Sequence, residues 1–188
     1  MIYKESSDFK GNDFRIDGLE LGEYENCTFS DCLFNNVNLS GLIFIDCQFI
    51  GCDMSMALLA QTSFREVNFK ECKLLGLHFN KCNRFLFSVN FDKCILNFSS
   101  FYQISLKKSI FTECRLEEVD FVESNLTQAE FGNCDFQKAM FNRTILDRAD
   151  LSTSYNFSIN PSLNSLKKAK FSKENVLGLL DGFGIIIQ

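Results

Sequence analysis

Cysteine is the residue type in this sequence whose number and spacing could carry chemistry. Residues 27–34, CTFSDCLF, hold two cysteines five positions apart, and CQFIGCDM at 47–54 repeats the arrangement. Such pairs could be half of a metal site, a redox pair or part of a packed interior. Zinc ligands are commonly two to four residues apart, and an odd total of 9 cysteines fits a disulfide framework poorly.

Histidine offers little further chemistry, because His78 is the only one and precedes a large apolar residue, so it is expected to point outward. No partner for nucleophilic catalysis can be identified beside it. The sequence contains no phosphate-binding loop, dinucleotide fingerprint or metal motif. We therefore expect no catalytic residues, no metal, no cofactor and no small-molecule substrate.

Large apolar residues recur every five positions, from Phe9 to Phe79 and again from Phe91 to Leu151. These positions hold 16 of the 22 phenylalanines. The position two residues before each of them mostly holds Cys, Ala, Ser, Thr or Val, and the remaining three positions are mainly polar. An α-helix repeats every 3.6 residues and a strand every 2, so neither explains this period. A chain that runs briefly extended and then turns a corner does, and repeated corners produce a solenoid.

The cysteines indicate how many five-residue units form one coil. Cys32, Cys52 and Cys72 recur at every fourth unit, and Cys94, Cys114 and Cys134 do so again. Four units per coil predict a square cross-section with these six thiols in one interior column. The interval between Cys72 and Cys94 is longer by two positions, which places a phase break near residues 83–88. Cysteine then acts as a small buried apolar group, although disulfides between stacked coils remain conceivable at the spacing of strands.

Units such as ADLST (149–153), CTFSD (27–31), VNFKE (67–71) and AEFGN (129–133) resemble the A(D/N)LXX pattern of the pentapeptide-repeat family. The resemblance covers about residues 7–153. It implies an all-β fold, the right-handed quadrilateral parallel β-helix. About seven coils at ~4.8 Å each would form a rod of roughly 34 Å.

The C-terminal sequence INPSLNSLKKAKF (159–171) and the ending FGIIIQ (183–188) resemble one branch of that family. This branch contains the bacterial Qnr and MfpA quinolone-resistance proteins and the microcin B17 immunity protein. The resemblance implies a type II topoisomerase, DNA gyrase or topoisomerase IV, as the partner. Qnr-type members carry projecting loops, whereas this chain has only the insertion near 83–88.

The chain is expected to divide into a solenoid at 1–153 and a cap at 154–188. Ser172 can begin a helix through about 173–180, with Gly182 at its C-terminal end. At the other end, Ile2 and Tyr3 are expected to plug the interior. The cap has more apolar residues than the last coil can cover, which predicts a homodimer with a two-fold axis. Its expected interface residues are Val176, Leu177, Leu180, Phe183, Ile185 and Ile187.

Charge and composition limit the function classes. A net charge of −5 argues against a nucleic-acid partner. The first ten residues do not form a signal peptide, and no apolar run of about 18 residues could span a membrane. These features predict a cytoplasmic protein with reduced thiols.

Two functions remain open. The first is a DNA mimic, because residues 1–60 contain 10 acidic and 3 basic residues and could occupy a positively charged DNA-binding surface. The second is a rigid scaffold for an unrelated protein partner, with a possible contact patch at Ile43, Ile45 and Ile50. Stacking of the coils predicts an acidic edge, interrupted by Lys73, Lys93 and Arg115. Its residues are Asp13, Asp31, Asp53, Glu71, Glu113, Glu117 and Asp135.

Overall fold

The computed structural model describes residues 1–186 and shows a parallel β-solenoid, which confirms the predicted fold. Two sheets run along its length, in strand orders β1-β3-β5-β7 and β11-β10-β9-β8-β6-β4-β2. The strands are β1 (Ile2–Glu5), β2 (Asp8–Lys10), β3 (Gly22–Glu25), β4 (Thr28–Ser30), β5 (Ile43–Ile45), β6 (Gln48–Ile50), β7 (Ser63–Arg65), β8 (Val67–Lys70), β9 (Val89–Asp92), β10 (Ile110–Thr112) and β11 (Glu130–Gly132).

The register of these strands shows the square coil directly. Phe9 lies opposite Phe29 and Phe29 opposite Phe49, so each coil contains four repeat units. The two faces without named strands are joined by isolated parallel bridges, among them Asp13 to Leu33 and Ser100 to Asp120. Four faces of one unit each therefore surround the interior.

Polar residues form the corners between faces. The corner residue takes a left-handed backbone conformation, for example Asp31 with φ 53° and Asn133 with φ 53°. The residue before each central position is often Asp or Asn, whose side chain accepts a hydrogen bond from the N–H two residues later. Asp53 bonds the N–H of Ser55 at 3.0 Å in this way. The polar positions of the repeat thus shape the turn as well as meet solvent.

The phase break is a bulge between two coils. The N–H of Asn83 bonds the carbonyl of Thr62, the same interval as Ser63 to Leu42 one coil earlier. Val67, in contrast, pairs with Val89, two positions farther along than the ordinary register predicts. Between these points Phe85 and Leu86 project outward with 64% and 63% exposure. Phe87 then packs back against the core, so the solenoid resumes without losing its interior.

The interior is built of stacked rings. Along the seven-stranded sheet the phenylalanines form one ladder with centroid separations of 4.6, 4.7, 5.1, 5.3, 4.9 and 4.9 Å. Its members are Phe9, Phe29, Phe49, Phe69, Phe91, Phe111 and Phe131. Strand stacking of about 4.8 Å sets the ring spacing, and Phe101 and Phe121 of the opposite face meet this ladder edge-on across the interior.

The N-terminal end is closed differently from expectation. Ile2 packs against the core as predicted, but Tyr3 is exposed and its hydroxyl donates to Glu25 Oε2 at 2.6 Å. Successive residues of a strand point to opposite sides, so Ile2 and Tyr3 cannot both face inward. The short helix α1 (Phe14–Asp17) completes this first coil.

The C-terminal cap is helical but is not the expected α-helix over 173–180. It consists of two 3₁₀ helices, Val176–Leu179 and Asp181–Phe183, and the left-handed C-terminal residue is Gly184 instead of Gly182. A further 3₁₀ turn, Phe79–Lys81, lies in the body of the solenoid. Parallel bridges continue past residue 153, as far as Asp150 to Lys170. The division at 153/154 stays a prediction.

Asn175 links the start of the cap to the last coil. Its backbone and side chain exchange hydrogen bonds with Ser172 at 3.1 and 2.8 Å. Its amide also donates to the carbonyls of Leu151 and Ser154, at 2.8 Å each. These bonds satisfy acceptors at the open edge of the last coil. The reciprocal Ser172–Asn175 bonds, together with the bond from Val176 N–H to Ser172 O at 3.1 Å, form the cap expected at Ser172. The 3₁₀ helix follows at Val176.

Candidate functional site

The six-cysteine column lies inside the solenoid, where each thiol faces the carbonyl of the central residue one coil earlier. Cys52 Sγ lies 3.2 Å from Phe29 O, Cys72 Sγ 3.3 Å from Phe49 O and Cys94 Sγ 3.4 Å from Phe69 O. Ser154 continues the column, its hydroxyl donating to Phe131 O at 2.9 Å. All nine cysteines are free and buried. Sulfur therefore fills space and weakly satisfies carbonyls, and a serine can replace it.

This environment makes the thiols poor nucleophiles. Burial raises the pKa of Cys47 to about 12, and burial likewise raises the pKa of Cys82. A thiol must ionise to attack a reagent or bind a metal. Within residues 1–186 no group of three or more His, Cys, Asp or Glu side chains is arranged to hold a metal ion.

We expect the cysteines of the folded protein to react very slowly with a thiol reagent at pH 8, because every thiol is buried. After unfolding in guanidinium chloride, all nine cysteines should react. A colorimetric disulfide-exchange reagent measures both states. Fast reaction of several thiols in the folded protein would contradict this packing.

His78 is exposed, as expected from the sequence, and forms a parallel bridge to Ser100 through its backbone. None of the helices within residues 1–186 is long and apolar enough to cross a lipid bilayer. The candidate site must therefore be sought among outer surfaces.

The seven acidic residues of the predicted edge lie on three neighbouring columns instead of one. Asp13, Asp53 and Asp135 share a column in which Leu33, Lys73, Ile95 and Arg115 alternate with them. The next column holds Asp31, Glu71 and Glu113. The backbone N–H of each donates to a carbonyl of the following coil, those of Ile50, Asp92 and Gly132 respectively. Glu117 lies on a third column beyond Arg115. None of the seven side chains is buried.

Several of these carboxylates already have partners. Asp13 accepts two hydrogen bonds from the Arg15 guanidinium, at 2.7 and 2.6 Å, and these hold the pKa of Asp13 below its usual value. Glu113 lies 4.0 Å from Lys93, and Glu117 lies 3.9 Å from Arg115. Asp31, Asp53 and Glu71 form no ion pair within residues 1–186. Asp135 forms no ion pair there either, so three of the four unpaired acids of the set lie in the earlier coils.

The exposed apolar residues lie at a corner away from the expected patch. Ile43 and Ile45 lie on β5 and Ile50 on β6, so the corner separates them, and all three are half-buried. Met56 and Phe98 instead occupy corner positions with φ 58° and 63°, both more than half exposed. Bulky apolar residues rarely adopt this conformation or this exposure together. Both belong to one corner column, in which they lie two coils apart with Gly76 between them.

The cap presents an apolar surface to solvent. Leu179 packs against the core, while Val176, Leu177, Phe183 and Ile185 are exposed and Leu180 is half-buried. Ile187, also expected at a dimer interface, lies outside the described residues. Five of the six expected interface residues thus belong to one exposed or half-exposed segment at the end of the rod.

Comparison with known proteins identifies the repeat. A family model described as the pentapeptide repeat region matches residues 23–84 and 85–156. No curated protein sequence matches the chain significantly.

Among solved structures, a trypsin-treated form of QnrB1, described as a plasmid-mediated fluoroquinolone resistance protein, aligns with a TM-score of 0.68 and 18% identity. That alignment covers 100% of this chain and 92% of the other. HetL, a pentapeptide repeat protein involved in heterocyst differentiation regulation in the cyanobacterium Nostoc sp. strain PCC 7120, aligns with a TM-score of 0.51 and 16% identity, covering 91% and 83%. At these identities the likeness concerns the fold.

Proposed function

We propose, from the premise that this chain belongs to the pentapeptide-repeat family, that it is a non-catalytic binding protein whose acidic end docks on the DNA-binding surface of a type II topoisomerase. The partner would be DNA gyrase or topoisomerase IV, as the resemblance to the Qnr and MfpA branch implies. Binding would modulate the enzyme or protect it against a quinolone or a peptide toxin. Such a partner would require a cytoplasmic location.

The observation that carries the proposal is the concentration of unpaired acids in the first coils. Residues 1–60 contain 10 acidic and 3 basic residues. Of the three bases, Arg15 is bonded to Asp13 and Lys4 lies over the Phe9 ring at 5.5 Å. The acids are mostly exposed on several faces, including Glu5, Asp8, Asp17, Glu20, Asp31 and Asp46. This end therefore presents a negative field around the rod that can steer it toward a basic surface.

Shape supports the same partner. The sheets keep parallel register along the chain, so the molecule is a continuous rod that does not need to fold on binding. A rigid negative rod matches the dimensions and charge that a DNA-binding groove accepts, and it avoids the ordering cost of a flexible acidic segment. The whole-chain likeness to QnrB1 adds that this rod has the length of a known resistance protein.

The direct test is a supercoiling assay with purified gyrase and the full-length protein, with and without a fluoroquinolone. We expect inhibition of supercoiling, relief of drug inhibition, or both, weakening as salt concentration rises. If neither effect occurs at low salt, the topoisomerase proposal is wrong.

The triple substitution Asp13→Asn, Asp31→Asn and Asp53→Asn should weaken that effect by about tenfold at low salt, since it removes three charges from the acidic end. Asparagine keeps the side-chain oxygens that accept from the N–H groups of Arg15 and Ser55, so the turns are retained. The matched control is Asp92→Asn, Asp120→Asn and Asp150→Asn in later coils. Equal losses in both triple variants would contradict docking by the N-terminal coils.

The second part of the proposal is a homodimer formed by the cap, residues 154–188, across a two-fold axis. Its support is the exposed apolar set Val176, Leu177, Phe183 and Ile185, which a monomer leaves in water. A two-fold axis at this end would place the two acidic ends farthest apart, doubling the length of the negative rod.

A scaffold for an unrelated protein partner is the second candidate function. The exposed corner residues Met56 and Phe98 favour it, because their strained backbone conformation gives no packing in return. HetL also indicates that this fold is used in regulation of a different kind. Two results together would support the scaffold. The protein would have no effect on supercoiling by gyrase, and a protein partner would bind the unaltered chain but not the Phe98→Asn variant.

A further inference from the structure

One corner of the solenoid separates charge along its length. This charged ridge lies where the four-stranded sheet meets the seven-stranded sheet. Successive coils stack there through hydrogen bonds from Asn26 N to Ile45 O, Asp46 N to Arg65 O, Lys108 N to Thr127 O and Arg148 N to Lys167 O, at 2.8 to 3.0 Å. Its first coils carry Glu5, Glu25, Asp46 and Glu66 with one base, Arg65, and its last coils carry Lys107, Lys108, Arg148, Lys167 and Lys168.

The five bases of the last coils, the basic ridge, are available for binding. All five side chains are exposed, and none of them is in an ion pair within residues 1–186. The bases on neighbouring faces differ, since Lys138, Arg143 and Lys170 each bind an acid one coil away. The basic ridge is thus an uncompensated positive array on a chain of net charge −5.

Asp147 is the single acid within the array. Its carboxylate accepts from the Ser165 hydroxyl at 2.6 Å and from the N–H of Lys167 at 3.1 Å. These bonds and the positive charges of Lys167 and Arg148 lower the pKa of Asp147. It therefore stays ionised, and the array carries a net charge of about four.

The spacing of this charge fits a nucleic-acid strand. From Lys108 to Lys168 the ridge rises by three coils, about 14 Å at ~4.8 Å per coil. The bases lie as two pairs at the ends of that rise, Lys107 with Lys108 and Lys167 with Lys168, and Arg148 lies between them. A rise of about 14 Å spans about four phosphates of one duplex strand at ~3.4 Å of axis each. Gln128, exposed between the charged levels, adds an uncharged amide donor suited to a phosphate oxygen.

We propose that the basic ridge binds the phosphate backbone of duplex nucleic acid without reading its sequence. A rigid, straight array suits a stiff polyanion, whereas an acidic peptide would lose conformational entropy on binding. The acids of the first coils repel phosphates from the rest of the corner, so contact is confined to the last coils. This inference goes beyond the topoisomerase proposal and does not depend on it. The net charge of −5 argued against a nucleic-acid partner. That single value does not show that bases are concentrated in the last coils of the ridge.

The test is fluorescence anisotropy of a labelled 20-base-pair duplex titrated with the full-length protein. With four charges engaged, log K should fall with log salt at a slope of about −3.6, a loss of roughly 10²-fold between 50 and 200 mM NaCl. Changing Lys107, Lys108, Lys167 and Lys168 to Gln should reduce the slope to near zero, because Asp147 offsets the one remaining charge, that of Arg148. Glutamine already occupies corners at Gln61, Gln103 and Gln128, so this variant should fold.

The matched control changes Lys10, Lys70, Lys73 and Lys81 to Gln, four exposed bases outside the ridge. It should retain the slope of the unaltered protein. A second variant, Asp147→Asn, keeps an acceptor for Ser165 and should steepen the slope by about 0.9. The proposal is overturned if no duplex binds at 50 mM NaCl, if both quadruple variants lose binding equally, or if poly-glutamate binds and the duplex does not.

Discussion

Changing Phe91→Ala is expected to lower the free energy of unfolding by about 3–5 kcal/mol, which approaches the whole stability of an ordinary domain. Phe91 is fully buried and stacks between Phe69 and Phe111, at 5.3 and 4.9 Å. Phe79 and Phe101 meet it edge-on at 5.9 and 6.0 Å. Removing the ring leaves a cavity that four neighbours cannot close, because the stacking of strands fixes their positions.

The effect should also be felt as a loss of cooperativity. Each coil of a solenoid contacts only its neighbours, so a defect in the central coil weakens the coupling between the two halves. Urea unfolding followed by circular dichroism should show a lower midpoint and a shallower transition. The control is Phe98→Ala, at an exposed corner, which should change stability by no more than about 0.5 kcal/mol. Similar losses in the two variants would contradict the ladder as the main source of stability.

Changing Gly178→Ala is expected to detach the cap from the last coil. A Cβ at this position would overlap the carbonyl oxygen of Phe157 and also its ring. The backbone there cannot retreat, because the N–H of Ile159 donates to Gly178 O at 2.9 Å. We expect a cost of about 1–3 kcal/mol and, if the cap forms the dimer, dissociation to monomers.

Light scattering after size-exclusion chromatography measures the second effect, and thermal unfolding the first. Gly182→Ala is the matched control, since its Cβ would meet Asn160 only at ordinary contact distances of 3.4 Å and more. A dimer that survives Gly178→Ala with unchanged affinity would exclude the cap as its interface. A monomer in the unaltered protein would remove the dimer proposal while leaving the stability prediction in force.

Most of the interior could be predicted from the sequence. The five-residue period places one large and one small side chain inward in each unit, and each unit folds by local turn chemistry that its own residues supply. The recurrence of Cys32, Cys52 and Cys72 at every fourth unit even places a specific column inside the coil, where the structure has it. Because the period is this regular, contacts between distant parts of the chain are not needed to determine which residues face inward.

The ends and the surface could be predicted less well. The sequence of the cap predicts one helix, whereas the structure has two 3₁₀ helices, and Asn175 binds the start of the cap to Leu151 and Ser154 of the last coil. The acids at Asp13, Asp53 and Asp135 were expected to serve a partner, yet each also accepts a hydrogen bond that shapes its own turn. An exposed acidic residue can thus serve to stabilise its own backbone turn or to bind a partner, and the residue type alone does not distinguish these two roles.

The sequence by itself determined which residues face the bore, because that depends only on position within a repeat of five. Only the tertiary structure decided which outward residues become neighbours. Lys108, Arg148 and Lys168 meet on one ridge, and Glu66 and Lys108 share a corner, because register between coils brings them there. That register equals four repeat units in most coils and is longer by two positions at the bulge of Phe85 and Leu86. Which surface residues become neighbours depends on the length of every preceding coil. One local insertion therefore changes which residues share each surface column beyond it.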